Sequence, residues 1–430
     1  MTRRLALGLL LGGVPRTWRQ PWSRAKEVAD LAFYADLARK AEAAKFDTLF
    51  LADTVATSER SPQPGLEPVT LLSALAAVTD HIGLIGSVST SFTEPFNLAR
   101  QIASLDQISG GRAGWNLVTS AWGGENFGIA LPPHDERYAI ATEYVQLVTA
   151  LWESWDPGAI VADHDRNLFV DPARVHRVDW NSERFQVRGP LNVPRSPQGR
   201  PIIAQAGSSE AGKTLGAGYA DLVFTTGLTE LEPSRALYAD LKQRAVAAGR
   251  RPESVKILPG VAPVIGSTDE EAHRIWSDSH EHFDFTASRA SLAQQFGGVD
   301  FAGLDPDAPV PVERLPAEET VEGRRSRYGV LLHLIRTGQL RTVRDVVLYH
   351  ASAAGHWFPI GSVERIADLL QERFEGGTAD GFNFLGFFQD YPNGLEALTE
   401  HLVPELRRRG LVRTDYEHPT LRGNLGLTLS

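Results

Sequence analysis

The chain of 430 residues contains no cysteine and a single methionine. Disulfides, thiolate metal sites and a cysteine nucleophile are therefore excluded. Long apolar runs are missing as well, so no segment is expected to span a membrane. An excess of positive charge is also lacking: the formal net charge is −10. That argues against a nucleic-acid surface as the main function. The N-terminus, Met1 to Gly13, has two arginines followed by an apolar run. The run is only about seven residues long, and no small-residue cleavage site follows it. It is read as a first buried strand, and the protein is expected in the cytoplasm.

What is present is a rhythm. Apolar stretches at Leu5–Leu11, Thr48–Ala52, Ile82–Val88, Ala113–Val118, Pro201–Ala206, Leu222–Thr226, Val255–Ile265 and Gly381–Leu385 predict strands. Amphipathic segments between them predict helices, among them Asp30–Lys45, Pro68–Thr79, Glu94–Ile108, Glu136–Glu153 and Leu231–Ala248. Thr268 and Glu271 form a capping-box signal for a further helix. Eight strand–helix alternations predict an α/β fold, a (β/α)8 TIM barrel, over residues 1–430 as a single domain. The rhythm breaks at about 154–200, where a short hairpin is expected, and at about 285–355. Both are read as insertions.

The segment Pro201-Ile-Ile-Ala-Gln-Ala-Gly-Ser-Ser-Glu-Ala-Gly-Lys-Thr214 organises the reading. A strand turning through glycine into a helix leaves backbone N–H groups aimed at one spot, which suits a phosphate. Two readings compete. Gly207 to Thr214 matches the G-x-x-x-x-G-K-[ST] pattern of a nucleoside-triphosphate P-loop. Alternatively, Ser208 and Ser209 hold a flavin phosphate. A P-loop also needs an apolar strand ending in an acidic residue to hold Mg²⁺. Leu222–Thr226 ends in threonine, and Ile257–Ile265 carries no acidic residue. The P-loop NTPase remains a remote alternative.

In a barrel the working residues follow the C-terminal ends of the strands. Asp53, Thr90, Asn116, Thr119 and Ser208 fall there, each polar after an apolar strand. His134 and Tyr138 stand four apart at the start of a helix and would share one face. Asn116 offers a donor and an acceptor without charge. His280-Glu-His282 and Asp163-His-Asp165 have metal-ligand residue types, but their polar settings read as solvated surface and no metal site is expected. Arg324-Arg-Ser-Arg327 is a basic run that either meets an anionic substrate, docks the phosphate side of the flavin or lies in a solvated loop.

Four segments resemble the bacterial-luciferase-like flavin monooxygenases, in the nitrilotriacetate and dibenzothiophene-sulfone monooxygenase branch. They are Phe50-Leu-Ala-Asp53; Ser89–Arg100 continuing through Ser104–Ser120; Arg188–Ser209; and Asp380-Gly-Phe-Asn383. The resemblance implies a barrel enzyme that takes reduced FMN from a separate flavin reductase and uses O2 to oxygenate a small organic substrate. It also implies a homodimer or a pair of dimers. By motif position, Asp53, Thr90, His134, Tyr138, Ser208 and Ser209 match the family's flavin contacts, and Asn116 lies where the motif faces the reactive edge. Asn116 and His134 are the candidates for a direct part in catalysis. A deazaflavin-dependent oxidoreductase of the same superfamily is the alternative. Gly13–Trp18 and Thr93-Glu-Pro depart from the family pattern.

Overall fold

Eight parallel strands close into a barrel in the computed structural model, in the order β1-β14-β11-β10-β9-β4-β3-β2. They are β1 (Ala6–Leu11), β2 (Thr48–Leu51), β3 (Gly83–Ser89), β4 (Ala113–Val118), β9 (Ile202–Gln205), β10 (Leu222–Thr225), β11 (Lys256–Val261) and β14 (Gly381–Phe384). The TIM-barrel expectation is met. The structure describes residues 3–11, 23–53, 55–57, 64–207, 209–283, 285–286, 288–289, 292, 299, 301, 303–321, 325–353, 355–385 and 394–428. Among the described residues no helix is long and apolar enough to cross a membrane.

Alternation along each strand sorts the side chains. Leu7, Leu9, Leu49, Leu51, Trp115, Leu117 and Ile203 face the surrounding helices. Ala6, Phe50, Ile85, Ile202, Ala204, Leu222, Phe224 and Leu258 fill the barrel. Phe50 and Phe224 meet edge to face across the interior, with centroids 4.7 Å apart. Their rings stop the barrel from being a pore.

The helix α4 (His134–Trp152) matters most for the site, and three contacts fix it. Trp152 Nε1 donates to Ala99 O at 3.0 Å, Tyr144 Oη donates to Thr93 O at 2.8 Å, and Trp115 packs on both aromatics. Trp115 Nε1 in turn donates to Val88 O. Truncating a buried aromatic of this kind costs about 3–5 kcal/mol, so α4 and its first turn are held firmly.

Two expectations are corrected. Val255–Ile265 is not one strand. The barrel strand β11 ends at Val261, and β12 (Val264–Gly266) pairs outside the barrel with β13 (Ile360–Ser362). Past Val261 the chain pairs with the returning segment instead: Ala262 N donates to Trp357 O at 2.8 Å and Val264 N to Pro359 O at 2.9 Å. Residues 154–200 carry two short hairpins rather than one: β5 (Ile160–Asp163) with β6 (Leu168–Val170), and β7 (Trp180–Asn181) with β8 (Gln186–Val187). Between β12 and β13, the helices α8 (Arg325–Arg336) and α9 (Val343–Ala353) share an apolar cluster with Phe301, Val310 and Val321. Between α4 and α8 lie α5 (Glu210–Tyr219), α6 (Leu231–Ala247) and α7 (Asp269–Ser279). Thr268 caps α7 as its sequence signal predicts.

The end of the barrel opposite the site is closed by charge. Asp47, Asp221 and Asp380 each stand one residue before a strand, and each takes a backbone N–H from the neighbouring strand. The donors are Leu7, Ile203 and Ile257, at 2.8, 3.0 and 3.0 Å. Arg413 pairs with Asp47, Arg200 and Arg422 with Asp221, and Lys242 with Asp380. Burial alone would raise the Asp221 carboxyl, but the two guanidiniums and the Ile203 N–H outweigh it and hold it at about 2. A lowered carboxyl stabilises the fold above its unfolded value and loses that contribution as pH falls. Asp221 is thus expected to contribute about 2 kcal/mol at neutral pH, lost between about pH 4 and pH 2. Acid-unfolding curves check this: Asp221→Asn should lack that part of the slope.

Candidate active site

The turn after β9 shows why two glycines are required. A Cβ on Gly212 would stand 2.9 Å from the carbonyl carbon of Gly207. A Cβ on Gly207 would stand 2.4 Å from Gln205 Nε2 and 3.0 Å from Tyr138 Oη. The strand end and the first turn of α5 therefore touch, and the Tyr138 hydroxyl is brought against them. Ser209 is the N-cap of α5, its Oγ accepting from Gly212 N at 3.1 Å. That leaves the Ser209 hydroxyl proton free to be donated elsewhere. The N–H groups of the first helical turn point the same way. Ser208 lies outside the described residues.

This geometry overturns the P-loop reading. The turn follows the fifth strand of a closed barrel. Lys213 Nζ is turned along the helix into ion pairs with Glu210 and Asp240. Thr214 Oγ1 donates to Glu210 O at 3.0 Å. Neither side chain is directed at the turn, where a P-loop would need them.

His134 and Tyr138 share the first turn of α4, as their spacing predicts, with ring centroids 4.8 Å apart. His134 Nδ1 lies 2.8 Å from Asp135 Oδ1. Tyr138 thus connects His134 to the Gly207 turn.

Asn116 faces the barrel interior from β4, in register with Ser87 on one side and Ala204 on the other. Its Nδ2 donates to Ser87 Oγ at 2.9 Å, and its buried Oδ1 has no partner among the described residues. A buried amide oxygen left unmatched costs about 1–3 kcal/mol, so it awaits a donor. Thr90, after β3, donates through Oγ1 to Val118 O at 3.2 Å. Asp53, after β2, is exposed at the rim. The structure therefore gathers His134, Tyr138 and Ser209 around one turn. It sets Asn116 on the strand next to β9, and Thr90 and Asp53 further round the mouth.

Among the described residues no three His, Asp or Glu side chains converge as a metal site. Asp163 pairs with Arg166 on the surface, as expected. His280 is half-buried rather than fully solvated: it packs edge-on against Trp276 at 4.4 Å and against Phe283. Burial pushes its imidazole below the ordinary value. The side chain of His282 lies outside the described residues.

Three features were missed from sequence. Gln205 lies buried beneath the Gly207 turn, its Oε1 without a partner among the described residues. Asn383 faces inward from β14 beside Gly260, its Oδ1 likewise unmatched. The Asp380-Gly-Phe-Asn383 segment and the alternation within β14 could have flagged it. His356 reaches the mouth from the end of the segment joining β12 to β13, where no periodicity signals it.

Residues 12–380 match the family described as luciferase-like monooxygenase. The chain is 37% identical to N-acetyl-S-(2-succino)cysteine monooxygenase of Bacillus subtilis, covering 99% of this chain and 97% of that protein. It is 40% identical to nitrilotriacetate monooxygenase component A of Aminobacter aminovorans, covering 95% and 93%. The solved structure of a riboflavin lyase with modified FMN and riboflavin superposes with a TM-score of 0.85 at 31% identity, covering 98% and 96%. Both of these sequence relatives are monooxygenases, which favours that branch over the deazaflavin one. The chain belongs to the luciferase-like monooxygenase family, flavin-dependent enzymes that oxygenate small organic substrates.

Proposed function

We propose that the protein is the oxygenase component of a two-component system, taking reduced FMN from a separate flavin reductase. The observation that carries the cofactor reading is the tight Gly207 turn, where the strand end meets the first turn of α5 with the Tyr138 hydroxyl and the Ser209 cap beside it. Backbone N–H groups and hydroxyls of this kind match a phosphate dianion. Ser208 would add a second hydroxyl. His134 supports Tyr138 and donates at the same edge. Asn116 Oδ1 accepts from a ring N–H, and Asp53 accepts from the ribityl hydroxyls. Thr90 offers a lone pair, its proton being used on Val118. Reduced FMN supplies the electrons that activate O2; the protein binds, orients and shields.

The organic substrate belongs over the ring at the barrel mouth. The relatives named above act on nitrilotriacetate and on a succinylated cysteine thioether, and a small polar organic compound is proposed here.

Anaerobic titration with reduced FMN tests the reading. Reduced FMN is expected to bind about 100-fold more tightly than reduced riboflavin, because two charge-assisted hydrogen bonds to phosphate are worth about 3 kcal/mol or more. Mixing the complex with oxygenated buffer should then give a transient near-ultraviolet band in stopped flow. Equal affinity for the two flavins would overturn the phosphate assignment.

A further inference from the structure

The end of β9 points a polar side chain where an apolar one would pack. Ile203 faces the surrounding helices, and Gln205, two residues on, faces the same way. Gln205 is only 4% exposed, and its enclosed Oε1 has no partner among the described residues. A buried amide oxygen without a donor costs stability, and an apolar side chain of similar shape would avoid that cost.

Three glycines make room for this amide. A Cβ on Gly207 would stand 2.4 Å from Gln205 Nε2, and a Cβ on Gly216 would stand 2.9 Å from its Oε1. A Cβ on Gly212, one turn before Gly216, would stand 3.0 Å from Gly207 O. Gly212 and Gly216 are both buried on α5, and two glycines inside a helix weaken it. The helix therefore gives up propensity in order to lie against the strand end, with the Gln205 amide between them. The glycine spacing that imitates a P-loop thus has a local cause: it seats a glutamine.

The amide nitrogen and the Tyr138 hydroxyl converge. The Cβ position on Gly207 lies 3.0 Å from Tyr138 Oη as well as 2.4 Å from Gln205 Nε2, so the two groups flank one point beside the turn. The amide nitrogen donates only, whereas the tyrosine hydroxyl both donates and accepts. An N–H of Gln205 given to Tyr138 Oη directs the hydroxyl proton away from the amide, toward an anion at the turn. Ser209 is arranged in the same sense, its Oγ accepting from Gly212 N and its proton left to donate. We propose that Gln205 is a positioning residue, whose amide orients the Tyr138 hydroxyl toward the cofactor phosphate. This rests on the reading of the Gly207 turn as the phosphate cradle.

The test is anaerobic titration of the full chain with reduced FMN and with reduced riboflavin. The proteins compared are the unaltered chain, Gln205→Met, Gln205→Leu, Tyr138→Phe and the double variant Gln205→Met with Tyr138→Phe. Methionine matches glutamine in length and donates no hydrogen bond. Gln205→Met is expected to weaken reduced FMN about tenfold, the worth of one hydrogen bond to a charged group, and to spare reduced riboflavin. Tyr138→Phe should lose about the same factor. Because Gln205 acts through Tyr138, the double variant should lose no more than Tyr138→Phe alone. A preference for reduced FMN that survives both Gln205→Met and Gln205→Leu would overturn the proposal, as would losses that multiply in the double variant. Equal binding of the two flavins by the unaltered protein would overturn the phosphate reading itself, and the proposal with it.

Discussion

Gly207→Ala is expected to weaken reduced-FMN binding by about 100-fold while leaving the fold intact. The added methyl must go where Gln205 Nε2 and Tyr138 Oη now stand, at 2.4 and 3.0 Å. The contact with Gln205 is too close for any real Cβ, so that amide or the turn itself must move. A second wall comes from Gly212, whose Cα is 3.3 Å away. Displacing Tyr138 removes one hydroxyl, and shifting the turn misdirects the backbone donors of α5. Two lost hydrogen bonds to a dianion account for about 3 kcal/mol or more, which is the factor stated. The turn lies at the rim, so the unfolding midpoint should move little. Anaerobic titration with reduced FMN and with reduced riboflavin separates the causes. A pure phosphate effect weakens FMN and spares riboflavin. Equal loss of both would place the damage in the ring pocket and refute the assignment.

Removing residues 420–430 is expected to prevent folding, the largest effect foreseen at the far end of the barrel. Leu421, Leu425 and Leu427 join the cluster that fills the barrel interior, with Ala6, Ile202 and Leu222. Between them stands Arg422, buried, which donates to both oxygens of Asp221 at 3.1 Å and to the carbonyl of Arg200. Each buried leucine contributes about 1.5–3 kcal/mol. Breaking one partner of a buried ion pair costs about 3–5 kcal/mol. Arg200 would remain on Asp221, so the lower end of that range applies. The sum still reaches most of the roughly 5–15 kcal/mol that holds a typical protein together. Expression of the truncated chain should give insoluble protein. Leu421→Ala, costing about 2–5 kcal/mol, should remain folded with a lower denaturant midpoint and unchanged reduced-FMN affinity. A soluble truncated chain with native circular dichroism would refute this role of the tail.

The strands and most helices were legible because burial imposes a period on the chain. Seven of the eight barrel strands arise where apolar runs predict them; the apolar run of the eighth continues past Val261, where the chain leaves the barrel to pair with the segment around Trp357 and Pro359. The rule that barrel sites form at the C-terminal ends of the strands was enough to single out Thr90 and Asp53 as candidates; Asn116 lies within β4 rather than after it, and only its inward direction brings it into consideration. The four-residue spacing of His134 and Tyr138 was enough to pair them. These are local facts, and local sequence carries them.

What only the tertiary structure decided are meetings between residues distant in the chain. The P-loop pattern was a true match of letters; the direction of Lys213, set by Glu210 and by Asp240 on the next helix, is what denies it the chemistry. Tyr138 meets Gly207 because three aromatic contacts fix α4 against β4 and α3, the helix Pro95–Ile108. His356 meets Gly260 because Trp357 bridges to Val261. The tail closes the barrel because Arg422 finds Asp221, 201 residues away. Periodicity reports which side of an element is buried. It cannot report which element lies opposite, because that is settled by the packing of many side chains at once.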